Sequence, residues 1–184
     1  MQAGTTSSVP GNSSATELLL LGPEFPVELP KVCRDLLALG VRFVVVGRQA
    51  VRLYGSPAFT SDYDLWVHPE SRSTVLQYFE VEYEAEIHLP PNGATNRAKI
   101  HCELDRADLT VLASITNQEG LRLSLDDVIS RAVNRADGLA QGYIPIPCLD
   151  DLIAVKKCRL PHPRDEEDLR YLLVRKALET SGEL

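Results

Sequence analysis

The sequence predicts an α/β or α+β fold, in which helices flank a mixed β-sheet and the C-terminus is helical. Three observations lead to this prediction. A valine-rich run at residues 41–46, apolar except for Arg42, is typical of a strand buried on both faces. A second strand pattern follows at residues 61–67, after a short segment that can form a helix. Helical patterns at residues 149–158 and 164–177 then follow near the C-terminus, and this order of elements is typical of a layered domain with a mixed sheet.

The first elements are bounded by glycines. Apolar residues at helical spacing predict a helix over residues 31–39, which Gly40 ends. The strand at residues 41–46 and a helix over about residues 48–54 follow, and Gly55 closes that helix. The order helix, strand, helix, strand is therefore predicted for the first third of the chain.

The rest of the chain contains further helix and strand patterns. Residues 124–127 resemble a capping box, which predicts the start of a helix. Pro161 and Pro163 separate the last two helices, because a residue that precedes proline avoids helical dihedral angles. The other predicted elements are a helix over residues 70–79 and strands over residues 83–89, 98–104, 108–114 and 143–146.

Composition and charge limit the class of protein. The chain has 184 residues, of which 44% are hydrophobic and 24% are charged, as in ordinary globular domains. We expect residues 1–22 to form a disordered tail, since much of this segment is Ser, Thr, Gly and Asn, and residues 23–184 to form a single domain. The net charge of -7 gives no overall attraction for nucleic acid, so RNA or DNA binding requires a local basic patch.

Cysteine usage and hydropathy indicate the compartment. The four cysteines are irregularly spaced and form no Cys-x-x-Cys pair, which is typical of free thiols in a reducing environment. No apolar stretch reaches the length of a membrane-spanning helix. We therefore expect a cytoplasmic protein without membrane contact.

Two aspartates in the second strand are the main candidates for a functional site. Asp62 and Asp64 are separated by one residue, so their side chains are predicted to project from the same face of the strand. Two carboxylates at that distance repel each other unless a cation or hydrogen bonds offset their charges. Mg²⁺ prefers a few carboxylates together with phosphate oxygens and water. The pair therefore predicts a magnesium site.

Gly47 stands at the turn from the first strand into the following helix. A glycine leaves room for a ligand close to the backbone, and the N–H groups at the start of a helix favour a phosphate group. Together with the carboxylate pair, this turn predicts a metal–triphosphate site. In nucleotidyl transfer a protein acts mainly by positioning and by charge stabilisation, often through two metals.

Six segments carry a family resemblance. They are residues 44–50, 54–55, 60–67, 109–115, 150–156 and 164–169. The first three follow the pattern of a strand, a glycine turn, a helix and then Thr-x-Asp-x-Asp in the next strand. With these segments in this order over about residues 31–175, the chain resembles the polymerase-β-like nucleotidyltransferase superfamily, and most closely its small bacterial stand-alone and toxin-type (AbiEii-like) members. The resemblance implies a nucleotidyltransferase fold.

Three positions depart from the family pattern. Arg48 stands where relatives carry a second small residue, and it either binds phosphate directly or fills the space that phosphate needs. Phe59 precedes Thr60 at a position where many relatives carry arginine. The family's third metal carboxylate lies on a later strand, where the best alignment places Thr110. Asp108 is the alternative, since it lies two residues earlier and on the same strand face.

The resemblance also implies that Lys156 approaches the active site, where an ammonium group neutralises phosphate charge. The alternative is an ordinary solvated lysine. Asp165 and Asp168 complement the dipole of the last helix, and either is a candidate partner for Lys156 or Arg164.

Trp66 is expected in the core rather than as a platform for a base, because it lies deeper along an apolar strand.

These observations lead to a main hypothesis and an alternative. The main hypothesis is a Mg²⁺-dependent nucleotidyltransferase, which transfers a nucleoside monophosphate from an NTP, with ATP as the expected donor, to an acceptor hydroxyl and releases pyrophosphate. The acceptor is an RNA, a protein or a small molecule. The alternative is a catalytically degenerate protein of this fold that binds a nucleotide or a partner protein, for example within a toxin–antitoxin pair.

The predicted site residues fall into two groups. The predicted catalytic residues are Asp62, Asp64 and Asp108, of which Asp62 and Asp64 are also the predicted metal ligands. The predicted nucleotide-binding residues are Gly47, Arg48 and Lys156.

Overall fold

The structure is a computed structural model. It describes residues 29–60, 62–89, 97–101, 106–111, 114–116, 120, 122–136, 143–158 and 162–182, and for residues 97–101, 106–109, 111 and 136 it describes the backbone alone. The tail predicted for residues 1–22 lies outside the described residues. The assignment of residues 23–184 to one domain stays a prediction.

The order helix, strand, helix, strand that the sequence predicts for the first third of the chain is present in the structure. The helices are α1 (Leu29–Ala38), α2 (Gly47–Leu53), α3 (Arg72–Tyr83), α4 (Leu125–Ser130), α5 (Leu149–Lys157) and α6 (Pro163–Ser181), and a short 3-10 turn at Pro69–Ser71 precedes α3. The strands are β1 (Phe43–Val46), β2 (Asp62–Val67), β3 (Glu86–His88), β4 (Arg97–His101), β5 (Arg106–Val111), β6 (Ser114–Thr116), β7 (Arg122–Ser124), β8 (Val133–Ala136) and β9 (Tyr143–Ile146).

The central sheet is mixed, which confirms the predicted fold class. Its five strands lie in the order β1-β2-β5-β4-β3. Strands β2 and β5 are parallel, whereas the other neighbouring pairs are antiparallel. Two further antiparallel pairs, β6-β7 and β8-β9, lie outside this sheet.

The two faces of β1 and β2 pack against different parts of the core. Phe43, Val45 and Leu65 face a large cluster that includes apolar residues of α1, α3 and β9. Val44 and Trp66 face a smaller cluster formed with apolar residues of β7, α4 and α5. Trp66 is 1% exposed, so the expectation that it belongs to the core is confirmed. Burial on both faces explains why β1 is apolar throughout.

Several element boundaries differ from the sequence prediction for local reasons. The strand predicted over residues 108–114 is two strands, β5 and β6. Strands β7 and β8 were not predicted, because three or four residues are too few to show a hydrophobic period. Ser124 is the N-cap residue of α4 as the capping box predicted, but its side chain makes no capping hydrogen bond. The helix start is correct, and its proposed capping interaction is wrong.

We expect Leu36→Ala to lower the free energy of unfolding by about 2–5 kcal/mol, because the deleted atoms leave a cavity in the large core cluster. Leu37→Ala is the matched control, since the two leucines are neighbours in α1 but Leu36 is 0% exposed and Leu37 is 47% exposed. Urea-induced unfolding of both variants measures the difference. Equal losses would contradict the assignment of the apolar face of α1.

Candidate active site

The first half of β2 places two carboxylates on one face of the sheet. Along β2 the side chains alternate, so Tyr63 and Leu65 face the large core cluster while Asp62 and Asp64 face the opposite side. Both aspartates are half-buried. The hydroxyl oxygen of Thr60 accepts a hydrogen bond from the backbone N–H of Asp62 at 3.2 Å, which orders the entry into the strand.

The strand register places a third acidic position beside this pair. In the parallel pairing of β2 with β5, Asp64 lies opposite Asp108, whereas Thr110 lies opposite Trp66. Opposed residues share a face, so position 108 lies on the face of the Asp62 and Asp64 carboxylates. Of the two alternatives for the third carboxylate, the register therefore favours Asp108. Its side chain lies outside the described part of the chain, and its role stays a prediction.

Gly47 lies directly against the Asp64 carboxylate. Its φ of +67° belongs to the left-handed region that favours glycine. A Cβ atom at this position would lie 1.8 Å from Oδ2 and 2.8 Å from Cβ of Asp64, which is closer than real atoms approach. Since Val46 also pairs with Asp64 across the sheet, the turn at the end of β1 and the carboxylate are held together. Glycine is required here for its conformation and for its size.

Arg48 points to α6. Its Nη2 donates to the Glu167 carboxylate at 2.9 Å and to the Arg164 carbonyl at 3.1 Å, and it lies 3.1 Å from the Asp168 carboxylate. Burial by itself lowers the pKa of the Arg48 guanidinium, but the hydrogen bonds and charges of Glu167 and Asp168 outweigh burial and raise that pKa. The first turn of α2 is therefore connected to α6 by an ion pair.

Lys156 is a buried cation rather than a solvated one. It is 2% exposed, and its Nζ lies 2.7 Å from Oδ1 of Asp165 and 2.7 Å from Oδ2 of Asp168. Both aspartates are buried as well. The expected pairing of these aspartates with Lys156 is thus present in the structure, and Asp168 is shared with Arg48. The cluster joins α5 to the beginning of α6.

These groups surround one cleft, whose volume is about 530 Å³. The residues that line it are Gly47, Arg48, Phe59, Thr60, Asp62, Asp64, Lys156, His162, Arg164, Asp165 and Asp168. The structure therefore brings together five of the six predicted site residues at the cleft, and it places Asp108 beside them through the strand register. Carboxylates lie on β2 and α6, and cations lie on α2, α5 and the start of α6.

The donor set fits a hard divalent cation. Asp62 and Asp64 supply oxygen ligands on one face of a strand, and the register adds an acidic position beside Asp64. Among the side chains that the structure describes, no group of three or more His, Cys, Asp or Glu residues forms a metal site. The carboxylate pair therefore requires ligands from elsewhere, which Mg²⁺ commonly takes from phosphate and water.

The structure brings three further residues to the site. His162 and Arg164 line the cleft, and Glu167 pairs with Arg48 beside it, whereas the sequence predicted a role at the site for none of the three. No sequence pattern identifies them, because the packing of α6 against α2 and α5 decides their position. The acidic first turn of α6, which contains Asp165 and Glu166, indicates a charged beginning of the helix but does not place it at the cleft.

Comparison with solved structures shows the nucleotidyltransferase fold. The lincosamide antibiotic adenylyltransferase LnuA, in a lincomycin-bound structure, superposes with a TM-score of 0.57 at 16% identity over 88% of this chain and 98% of that chain. ANT(2'')-Ia in complex with adenylyl-2''-tobramycin superposes with a TM-score of 0.53 at 13% identity over 91% of this chain and 99% of that chain. A nucleotidyltransferase-like protein from Paracoccidioides brasiliensis gives 0.50 at 14% identity over 82% and 76%.

No protein-family model matches the chain, and no curated protein matches it by sequence. The structural likeness at these identities defines the fold alone. The finer resemblance to toxin-type members stays a prediction. Within the described part of the chain, no helix combines the length and the apolar character needed to cross a membrane.

We expect Gly47→Ala to destabilise the protein by about 1–3 kcal/mol more than Gly40→Ala, because only the former forces a Cβ atom into Asp64. Gly40 is a matched control, since its φ is +72° and a Cβ atom there meets nothing within 4 Å. Both variants therefore share the cost of a positive φ. Thermal unfolding measures the two losses, and equal losses would contradict the close approach of Gly47 and Asp64.

We expect Lys156→Met to cost about 3–5 kcal/mol of folding free energy, because it leaves the carboxylates of Asp165 and Asp168 buried without their cation. Lys157→Met is the control, since Lys157 is the exposed neighbour in the same helix. Chemical denaturation of both variants provides the measurement. A Lys156 variant as stable as the control would show that the buried cluster does not stabilise α6.

Proposed function

We propose that this protein is a Mg²⁺-dependent nucleotidyltransferase. The observation that carries the proposal is the pair Asp62 and Asp64, which share one face of β2 beside the Gly47 turn at a cleft of a nucleotidyltransferase fold. A carboxylate pair beside a glycine turn supplies two needs of nucleotidyl transfer, which are ligands for a divalent cation and, in the backbone after the turn, N–H groups that favour a phosphate chain.

The proposed reaction joins an acceptor hydroxyl to the α-phosphorus of an NTP. A bond forms between the acceptor oxygen and that phosphorus, and the bond from the α-phosphorus to the bridging oxygen breaks. Pyrophosphate leaves with the bonding electrons, and the acceptor proton passes to a base, for which Asp108 is the candidate. Bound Mg²⁺ would supply positive charge that offsets the phosphate oxygens. Asp62 and Asp64 would hold that cation, and Gly47 with the backbone after it would hold the triphosphate.

In this proposal Lys156 and Arg48 act mainly by holding α6 in place, because both are paired with carboxylates of that helix. Lys156 is shared by Asp165 and Asp168, and Arg48 by Glu167 and Asp168. Their charges are therefore largely offset before any nucleotide binds. We propose that they hold the beginning of α6 at the edge of the cleft, and that part of their field still reaches the triphosphate as predicted from the sequence.

ATP is the proposed donor, and small molecules are the first acceptors to test. Two neighbours of the same fold bear on this choice: LnuA is an antibiotic adenylyltransferase and is seen with lincomycin, and ANT(2'')-Ia is seen with adenylyl-2''-tobramycin. An RNA end or a protein hydroxyl is the next acceptor class to test.

Arg48 favours a second candidate function, a degenerate module that binds a nucleotide or a partner protein without catalysis. Where relatives have a small residue, this chain has a guanidinium that is tied to Glu167 and Asp168 on α6. A guanidinium that is already paired with two carboxylates is less available to bind a phosphate group. The two candidate functions differ in one measurable respect, since both allow nucleotide binding but only the first yields pyrophosphate.

We expect ATP with Mg²⁺ at about 100 times its dissociation constant to stabilise the protein by about 2.7 kcal/mol. Asp62→Asn and Asp64→Asn should abolish this gain, because each removes a proposed metal ligand. Asp127→Asn, an exposed change in α4, should retain it. Differential scanning fluorimetry with and without Mg²⁺ measures the shift, and pyrophosphate release with an acceptor panel measures transfer.

The outcomes separate the candidates. Stabilisation that is lost with Asp62→Asn, together with pyrophosphate release, supports the enzyme. Stabilisation without release from any acceptor supports the binding module. Stabilisation by ATP with Mg²⁺ that persists in both aspartate variants would contradict the assignment of the metal–nucleotide site.

A further inference from the structure

Phe59 is exposed at the edge of the cleft, where its neighbours are polar. Among the residues that line the cleft within the described chain, Phe59 is the one with an apolar side chain. It is 60% exposed, although burial of a phenylalanine ring is favourable. Exposed apolar residues are common on protein surfaces, so exposure alone carries no conclusion. Its position in a charged cleft is what requires a physical explanation.

The Phe59 ring is supported from one side by a fixed cation. The guanidinium of Arg52 lies over the ring, 5.9 Å from its centre. Arg52 is itself held by a hydrogen bond of 3.1 Å from its Nη1 to Oε1 of Gln49, and Gln49 is buried in α2. A cation over one face attracts the ring and limits its rotation. The exposed part of the ring is therefore the part that Arg52 does not cover.

The distance along the chain suits a ligand that extends from the carboxylates. Phe59 precedes Asp62 by three positions, so their Cα atoms lie at most about 11 Å apart. A nucleotide whose phosphates are held at Asp62 carries its ribose and base away from the metal ligands. A planar, apolar ring at this distance matches the one part of a nucleotide that is planar and uncharged.

We propose that Phe59 forms the nucleobase platform of the site, where the base of the NTP stacks on the exposed part of its ring. This inference rests on the proposed function and adds the binding mode of the base. Stacking on an aromatic ring is tolerant of base identity, because every base has a π-face.

Isothermal titration calorimetry on the full chain tests the platform with two probes, ATP and inorganic tripolyphosphate, both with Mg²⁺. Phe59→Leu should weaken ATP binding about tenfold, because it removes the aromatic face, and should leave tripolyphosphate binding within about twofold. Phe59→Trp should retain ATP affinity. Tyr143→Leu is the control, since Tyr143 is an exposed aromatic residue outside the cleft.

Each outcome has a distinct meaning. If Phe59→Leu binds ATP as tightly as the unchanged protein does, the platform is wrong while the proposed function stands. If ATP and tripolyphosphate lose affinity equally, Phe59 does not bind the base. If the unchanged protein binds no ATP at all, the proposed function fails and the platform fails with it. Thermal unfolding of each variant verifies that it is folded.

Discussion

The close approach of Gly47 to Asp64 is the constraint on which the site depends. Strand β1 must end in a turn with positive φ, and the carboxylate of β2 occupies the volume that any larger side chain at position 47 would need. Because β1 and β2 are neighbouring strands, this contact fixes the position of the Asp pair relative to the first turn of α2. The other residues of the cleft surround this contact between Gly47 and Asp64.

A second set of interactions brings the C-terminal helix, α6, to the same cleft. Lys156 lies between Asp165 and Asp168, and Asp168 is also paired with Arg48. Removal of one partner from a buried ion pair destabilises a protein, because the remaining charge stays buried without its counter-charge. The burial of Lys156 therefore depends on Asp165 and Asp168, and theirs depends on Lys156. This mutual dependence holds the beginning of α6 beside the cleft. The apolar contacts of Leu172 pack the same helix against the large core cluster, but they do not place its charged residues at the cleft.

The candidate site was partly predictable from local sequence. The alternation of side chains along a strand predicted that Asp62 and Asp64 share a face, and the glycine at the end of an apolar run predicted the turn. In contrast, the choice between Asp108 and Thr110 depended on the register of β5 against β2. Register between distant strands depends on packing over the whole sheet, and a two-residue shift leaves the side-chain pattern unchanged. A sequence alone therefore left both residues possible.

The sequence by itself determined the order of the first four elements, the mixed α/β class and the pair of aspartates, because these depend on periodicities and on residues close together in the chain. The tertiary structure decided that Lys156 is buried, that Arg48 turns toward α6, and that Phe59 is exposed at the cleft. Those features join residues that are far apart in sequence. Their contacts arise only when helices α2, α5 and α6 pack together, and no local pattern records that packing.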